Sequence, residues 1–455
     1  MPSHVIDSLF FKDLYGSEAM RAIFDDLALL QKWLDYEAAL ARAEASIGLI
    51  PQSAAESITR AARAEYMDTD AIKRGVDKTV HPLVAVIWGL SQRCEGDAGR
   101  YVHWGATTQD VMDTAIILQL KDAYPLFEDA LDRLCDSLAA LARKHRDTPM
   151  AGRTHGQQAL PITFGYKVAV WLAEIRRHRV RLEQIKPRVL IGEFGGAVGT
   201  LASVAEHGIA INQRLMEELG LGVPEIAWHT ARDHIAEFAL TLTMITATLG
   251  KIAHEVIDLQ KIEFGEVEEP FEMGKVGSST MPQKRNPMFC EAILTLTRLT
   301  RAHAVTAVDA MFHEHERDWS SFQMEWAYLP ELCIMTHGAL LLTTRVVSGL
   351  IVYPENMRRN LDISGGTLLA ERVMLELGAH IGRQDAHDVI YEAAMHAFEA
   401  RQPFAEVLKA DSRVSAYLSA ETIDSLLDPT QYTGLAAEYV DRVLAVKYDI
   451  RSEEK

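Results

Sequence analysis

From Phe127 to Leu141 the apolar residues Phe127, Leu131, Leu134, Leu138 and Leu141 recur at steps of four, three, four and three. That spacing lines them along one face of an α-helix, as a seam of the coiled-coil kind. It predicts a helix that opens after Pro125 and closes before Asp147-Thr148-Pro149. Twenty residues of helix span about 30 Å. A seam of that length needs other long helices to cover it. Ala, Leu, Glu and Arg dominate most segments, which favours helix, and strand signals are sparse. Further long helices are predicted over 163–187, 230–262, 288–313 and 327–350, separated by short breaks rich in Gly, Pro or Ser. The expectation is an all-α chain with a bundle of long helices over 101–350. An N-terminal helical domain would cover 1–100. A C-terminal helical domain, 351–455, would begin near Tyr353-Pro354-Glu355-Asn356, and the terminal RSEEK reads as a frayed tail.

Composition narrows the partners. Of 455 residues 48% are hydrophobic, enough for a large core, and the formal charge is −18 with a pI of about 5.4. A negative surface repels phosphate backbones and anionic lipid, so neither nucleic acid nor a membrane is expected as a partner. An anionic small substrate then needs a local cluster of cations. Cys94, Cys135, Cys290 and Cys333 form no CxxC or zinc pattern and read as reduced core thiols of a cytoplasmic protein. The N-terminal MPSHVIDSLFFKDLYG lacks the pattern of a signal peptide. The most apolar stretch, 238–250, reads as too short to span a bilayer and carries four threonines, so a helix buried in a bundle is expected.

Polar residues concentrate in four places: KTVHP with His81; HWGATTQDVMDT with His103, Thr107, Thr108 and Asp110; GRTHGQQALP with Arg153, Thr154 and His155; and GSSTMPQKRNP with Ser278, Ser279, Met281, Lys284, Arg285 and Asn286. Each lies at a predicted break or helix start, where backbone N–H groups without helical partners attract anions. Hydroxyls, an ammonium, an amide and imidazoles suit a carboxylate-bearing substrate and proton transfer. Each also has a plain alternative: Thr107 and Thr108 as helix caps, His81 and His155 as hydrogen-bonded structural histidines, the loop cations as solvated surface. Three other patterns carry less. HEHER places His313 and His315 two apart, but at a helix end, and reads as a solvated polar stretch. GEFGGAVG lacks the GxGxxG spacing of a dinucleotide loop, and no GxSxG nucleophile elbow exists.

GSSTMPQKRNP resembles the signature loop of the fumarase/aspartase superfamily. HWGATTQDVMDTA and GRTHGQQALPITFG resemble its two other conserved regions, in the expected order, and the likeness runs over essentially the whole chain. The resemblance implies an all-α, three-domain fold whose central long-helix bundle assembles into a homotetramer, with each active site shared between subunits. It implies no metal and no cofactor, and a small dicarboxylate as substrate. The reaction implied is a reversible β-elimination. A proton leaves the carbon beside a carboxylate, an aci-carboxylate dianion forms, and a group departs from the neighbouring carbon. By this analogy Ser278 is the base, His155 the general acid and His81 a substrate or leaving-group contact. Lys284 and Asn286 hold the carboxylate where charge builds, and Thr107 and Thr108 fix the other one. Thr154, Met281 and Arg317 join as substrate contacts, and the loop acts as a mobile lid.

Two branches compete. His81 in KTVHP and His155 in THG resemble adenylosuccinate lyases, whereas bacterial 3-carboxy-cis,cis-muconate cycloisomerases usually lack the second histidine. LFFKDLYGSEAMRAIF, GEVEEP (265–270) and WHTARD (228–233) resemble the cycloisomerases. The serine and arginine that hold a nucleotide phosphate after HERD are here Phe322 and Trp326, and the N-terminal Arg-Tyr is missing, although Arg317 persists. Ala231 replaces a usual glutamine. The expectation is a lyase that releases fumarate from a non-nucleotide succinyl compound, an N-substituted aspartate first. A cycloisomerase is the alternative; adenylosuccinate lyase and a crystallin-like structural protein rank lower.

Overall fold

A computed structural model of the chain describes residues 4–271, 280, 281 and 283–446. The all-α expectation holds. The long helices are Thr108–Lys144, Phe164–Val189, Asp233–Gln260, Met288–Asp309 and Trp319–Ser348, joined by shorter helices at both ends of the chain. The chain divides into two compact units. One comprises Met1–Leu131, His178–Ala247 and Thr295–Leu341. The other comprises Asp132–Arg177, Thr248–Leu294 and Leu342–Lys455.

Local chemistry sets several helix starts. Asp25 accepts the Leu27 N–H at 2.9 Å to open Asp26–Ser46, and Asp68 accepts the Ala71 N–H at 2.9 Å to open Thr69–Thr79. The start of Thr108–Lys144 is not where the seam predicts it. The helix is 37 residues long and passes through Pro125. An internal proline costs about 3 kcal/mol. Tyr124 and Phe127, both fully buried, flank it and pack on the Phe238 ring at centroid distances of 5.6 and 6.3 Å. Each buried aromatic contributes roughly 1.5–3 kcal/mol, so packing offsets the proline. Pro187 and Pro330 likewise lie inside helices.

The apolar stretch near Phe238 belongs to a 28-residue helix, Asp233–Gln260, long and apolar enough to cross a membrane by length and composition. The sequence expectation of too short a run is therefore corrected. Burial decides its role, since 67% of its most apolar window lies inside the protein.

In the second unit two short strand pairs appear that the sparse strand signals did not announce. Pro149–Thr154 pairs antiparallel with Gln157–Thr163, and Val267–Glu268 with Ile351–Val352. The helix Pro354–Leu361 follows with proline in its first turn, and later helices enclose a small core of Val373, Leu377, Ile390, Phe404, Leu408 and Ile423.

Candidate functional site

In the first unit His81 follows the helix Thr69–Thr79, which ends in a left-handed Val80 (φ 55°). Its Nε2 lies 3.1 Å from Thr108 Oγ1, at the first residue of Thr108–Lys144. The ring packs on Trp319 with centroids 5.1 Å apart, and Nδ1 is buried without a hydrogen-bond partner among the described residues. Burial, then the neighbouring His103 and Arg317, hold the His81 imidazole below its ordinary pKa, which favours the neutral ring. His103 responds in the opposite sense. Burial presses its pKa down, but Glu37, 2.7 Å from Nδ1, outweighs this and raises it.

Arg317 is exposed and tethered by one nitrogen: Nε donates to Gln109 Oε1 at 2.9 Å. Gln109 is in turn fixed through Nε2, which donates to the His229 carbonyl at 2.9 Å and to Asp113 Oδ2 at 3.1 Å. Among the described residues the remaining guanidinium nitrogens of Arg317 make no hydrogen bond.

A buried ionic layer underlies Thr107 and Thr108. Asp110 accepts four donors: the Thr107 N–H at 2.9 Å, the Gly195 and Gly196 N–H groups at 3.0 Å each, and His229 Nε2 at 2.7 Å. GEFGGAVG therefore cradles a carboxylate of the protein itself. Asp110, Glu193 and His229 place ligand atoms within 4.8 Å of one another. A cation fits that spacing, but the oxygens of Asp110 are already filled by donors. Glu193 is raised well above the usual carboxylate range by burial and then by Asp113 and Asp110, and it accepts the Trp228 N–H at 2.5 Å. Arg232, 2% exposed, bridges Asp113 (2.8 and 2.9 Å) and Glu325 and lies 4.8 Å over the Trp228 ring. A layer with this many charge-assisted hydrogen bonds fixes the turn above it, although one oxygen of Glu193 finds no hydrogen-bond partner among the described residues. Beside His81, Trp319, Phe322 and Trp326 form an aromatic wall with centroids 5.3 to 5.9 Å apart. HEHER differs from the solvated reading. His313 is half-buried, and neither ring nitrogen finds a partner among the described residues.

In the second unit His155 and Gly156 form the two-residue loop between Pro149–Thr154 and Gln157–Thr163. Both are left-handed (φ 52° and 77°), as a type I′ turn requires. Thr154 and His155 are exposed at this tip, and among the described residues the imidazole makes no hydrogen bond. The hairpin is anchored from below. Arg153 lies 4.8 Å over the Phe264 ring and donates to the fully buried Glu266 at 2.7 and 3.0 Å; Asn360 donates to the same carboxylate at 2.8 Å.

Glu268 and Glu269 of the same GEVEEP stretch hold other partners. Glu268 accepts from Arg285 and from the Tyr353 hydroxyl, both at 2.8 Å. Glu269 accepts the Phe289 and Cys290 N–H groups at 3.1 and 3.2 Å, capping the helix Met288–Asp309. Met281, Lys284 and Asn286 line an 810 Å³ cavity with Gln260, Tyr353, Asn356 and Arg359. The Lys284 N–H donates to the Met281 carbonyl at 3.0 Å, and its ammonium makes no ion pair among the described residues. Ser278 lies outside the described residues.

Within the first unit the structure thus brings His81 to Thr108 and links Arg317 to the same helix start. Within the second it gathers Met281, Lys284 and Asn286 around one cavity. Among the described residues, Thr154 and His155 share no hydrogen bond with the other candidates. Sequence reasoning missed Gln109, His229, Trp319 and the roles of Glu266, Glu268 and Glu269. In the sequence WHTARD and GEVEEP stand out only as marks of resemblance.

Comparison with known proteins gives two family matches. A family described as Lyase matches residues 15–299, and one described as Adenylosuccinate lyase C-terminus matches 366–443. An N-acetyl-S-(2-succino)cysteine lyase of Enterococcus italicus is 44% identical, over 98% of this chain and 98% of its own. A 3-carboxy-cis,cis-muconate cycloisomerase of Pseudomonas aeruginosa is 42% identical, over 97% of each. Among solved structures, a fumarate lyase from Mesorhizobium sp. BNC1 superposes with a TM-score of 0.90 at 42% identity, over 95% of this chain and 99% of that one.

Proposed function

We propose that this chain, which belongs to the lyase family of the fumarase/aspartase superfamily, releases fumarate from a non-nucleotide succinyl compound. The observation that carries the reading is the aromatic wall beside His81. Phe322 is fully buried and packs on Trp326, so two positions that would need a hydroxyl and a guanidinium to hold a phosphate dianion offer only carbon surface and an indole. The relative named N-acetyl-S-(2-succino)cysteine lyase supports the same substrate class. The departing atom is then the sulfur of a thioether or the nitrogen of an N-substituted aspartate.

In this reading Thr107, Thr108 and Thr154 orient the carboxylates, with Met281 and Arg317 lining the substrate. Ser278 takes the proton from the carbon next to one carboxylate. Lys284 and Asn286 stabilise the aci-carboxylate dianion that results. The electron pair returns to form the C–C double bond, and the bond to nitrogen or sulfur breaks. His155 supplies the proton to the departing group, and neutral His81 contacts it as an acceptor. The products are fumarate and the protonated amine or thiol. The active form is a homotetramer whose subunits share active sites, with domains 1–100, 101–350 and 351–455. Cys94, Cys135, Cys290 and Cys333 form no disulfide among the described residues, which goes with a cytoplasmic setting.

A cycloisomerase is the second reading, favoured by the 42% identity to the Pseudomonas aeruginosa enzyme. Offering the purified protein succinyl thioethers, N-substituted aspartates and 3-carboxy-cis,cis-muconate separates the two. Fumarate from the succinyl compounds, lost in Ser278→Ala, is expected; consumption of the muconate alone overturns the lyase reading.

A further inference from the structure

We infer that Glu268 is a positioning residue that holds Lys284 and Asn286 in register by gripping the arginine between them, an inference that rests on the lyase reading above. Glu268 belongs to a two-residue strand paired with Ile351–Val352, so its backbone is fixed by the ladder. One carboxylate oxygen accepts from Arg285 and the other from the Tyr353 hydroxyl, both at 2.8 Å. The carboxylate side chain is 12% exposed and the Arg285 side chain 46%. The guanidinium also lies 4.1 Å over the Phe271 ring. From the other side Gln260 Nε2 donates to the Arg285 carbonyl at 3.1 Å, while Gln260 Oε1 accepts the Glu269 N–H at 3.0 Å. Arg285 is thus held through its side chain and its backbone by the stretch Glu268–Phe271 and by Gln260.

The positive charge of Arg285 is committed to Glu268 and is not spare for a substrate anion. Its neighbours on either side are the two residues assigned to the aci-carboxylate. The same donors hold the substrate carboxylate before charge builds on it, so losing their register weakens binding of substrate and dianion alike, which raises KM and leaves kcat near its value. A partly exposed ion pair contributes little to stability. The Glu268–Arg285 pair is therefore expected to govern substrate binding and not the folding of the unit.

The test uses the full chain in its native assembly. Glu268→Gln and Arg285→Gln are each expected to raise the KM for a succinyl substrate about tenfold with kcat within about threefold. The double variant should match the singles, the exchanged pair E268R/R285E should recover most of the loss, and the melting temperature should stay unchanged. Unchanged KM, additive losses, or a loss that follows a lowered melting temperature would overturn the proposal. If the unaltered protein turns over no succinyl compound, the lyase reading fails on its own. The positioning claim is then read from succinate binding by calorimetry. A Kd weakened about tenfold in Glu268→Gln sustains it, and equal or absent binding overturns it.

Discussion

The imidazole of His81 meets the hydroxyl of Thr108 at 3.1 Å, although 27 residues separate them in the chain. The contact ties a residue just past one helix end to the first residue of another. Thr108→Val removes the hydroxyl at constant shape and leaves Nε2 unpaired. The expected result is a fall in kcat/KM of about tenfold or more, with Thr108→Ser retaining most activity. Steady-state rates on a succinyl substrate check it.

His155 sits at the first position of a type I′ turn. Asparagine tolerates that left-handed conformation, so His155→Asn should keep the hairpin while removing the proton donor. On an N-substituted aspartate kcat should drop by about 10²–10⁴. A thioether should suffer less, because a thiol with a pKa near 8.5 departs more readily without its proton. Paired rate measurements on matched nitrogen and sulfur substrates read the difference.

His234 is 6% exposed, and burial, then Arg232, lowers its pKa from 6.5 to about 4. Its folded-state pKa is depressed, so above pH 6.5 neither state is protonated and stability is unaffected. As pH falls from 6.5 towards 4 the unfolded chain takes up a proton that the folded chain refuses. Stability should fall by up to about 3 kcal/mol over that window. His234→Gln should flatten this part of the pH dependence, as read from denaturant unfolding at pH 7 and pH 5.

Phe322 and Trp326 offer a phosphate neither a hydroxyl nor a cation. Two absent charge-assisted bonds weaken binding of a nucleotide phosphate by about two orders of magnitude or more. Adenylosuccinate should therefore show a kcat/KM at least about a hundredfold below that of a non-nucleotide succinyl substrate. Competition between the two substrates measures this directly.

Much of this was legible in the sequence. The seam from Phe127 to Leu141 identified a long helix, and GSSTMPQKRNP, HWGATTQDVMDT and GRTHGQQALP marked the candidate residues. Pro125 misled because local propensity implies a boundary there, whereas Tyr124, Phe127 and Phe238 pack the helix through it. The hairpin around His155 was hidden because it is short and its turn carries histidine in place of the more usual Asn or Asp before glycine. The partners of Asp110 and of Glu266 were illegible for another reason. His229 stands 119 residues from Asp110, and Arg153 stands 113 residues from Glu266. No periodicity or spacing encodes a hydrogen bond across such a distance.

The central claim is a proton removal beside a carboxylate followed by loss of the neighbouring substituent. Incubating the protein with a succinyl thioether in heavy water and analysing products by NMR addresses it most directly. The account predicts fumarate, together with deuterium in recovered substrate at the methylene carbon and not at the sulfur-bearing carbon, both lost in Ser278→Ala. Consumption of 3-carboxy-cis,cis-muconate by a protein that yields no fumarate and exchanges no proton of any succinyl compound would contradict it.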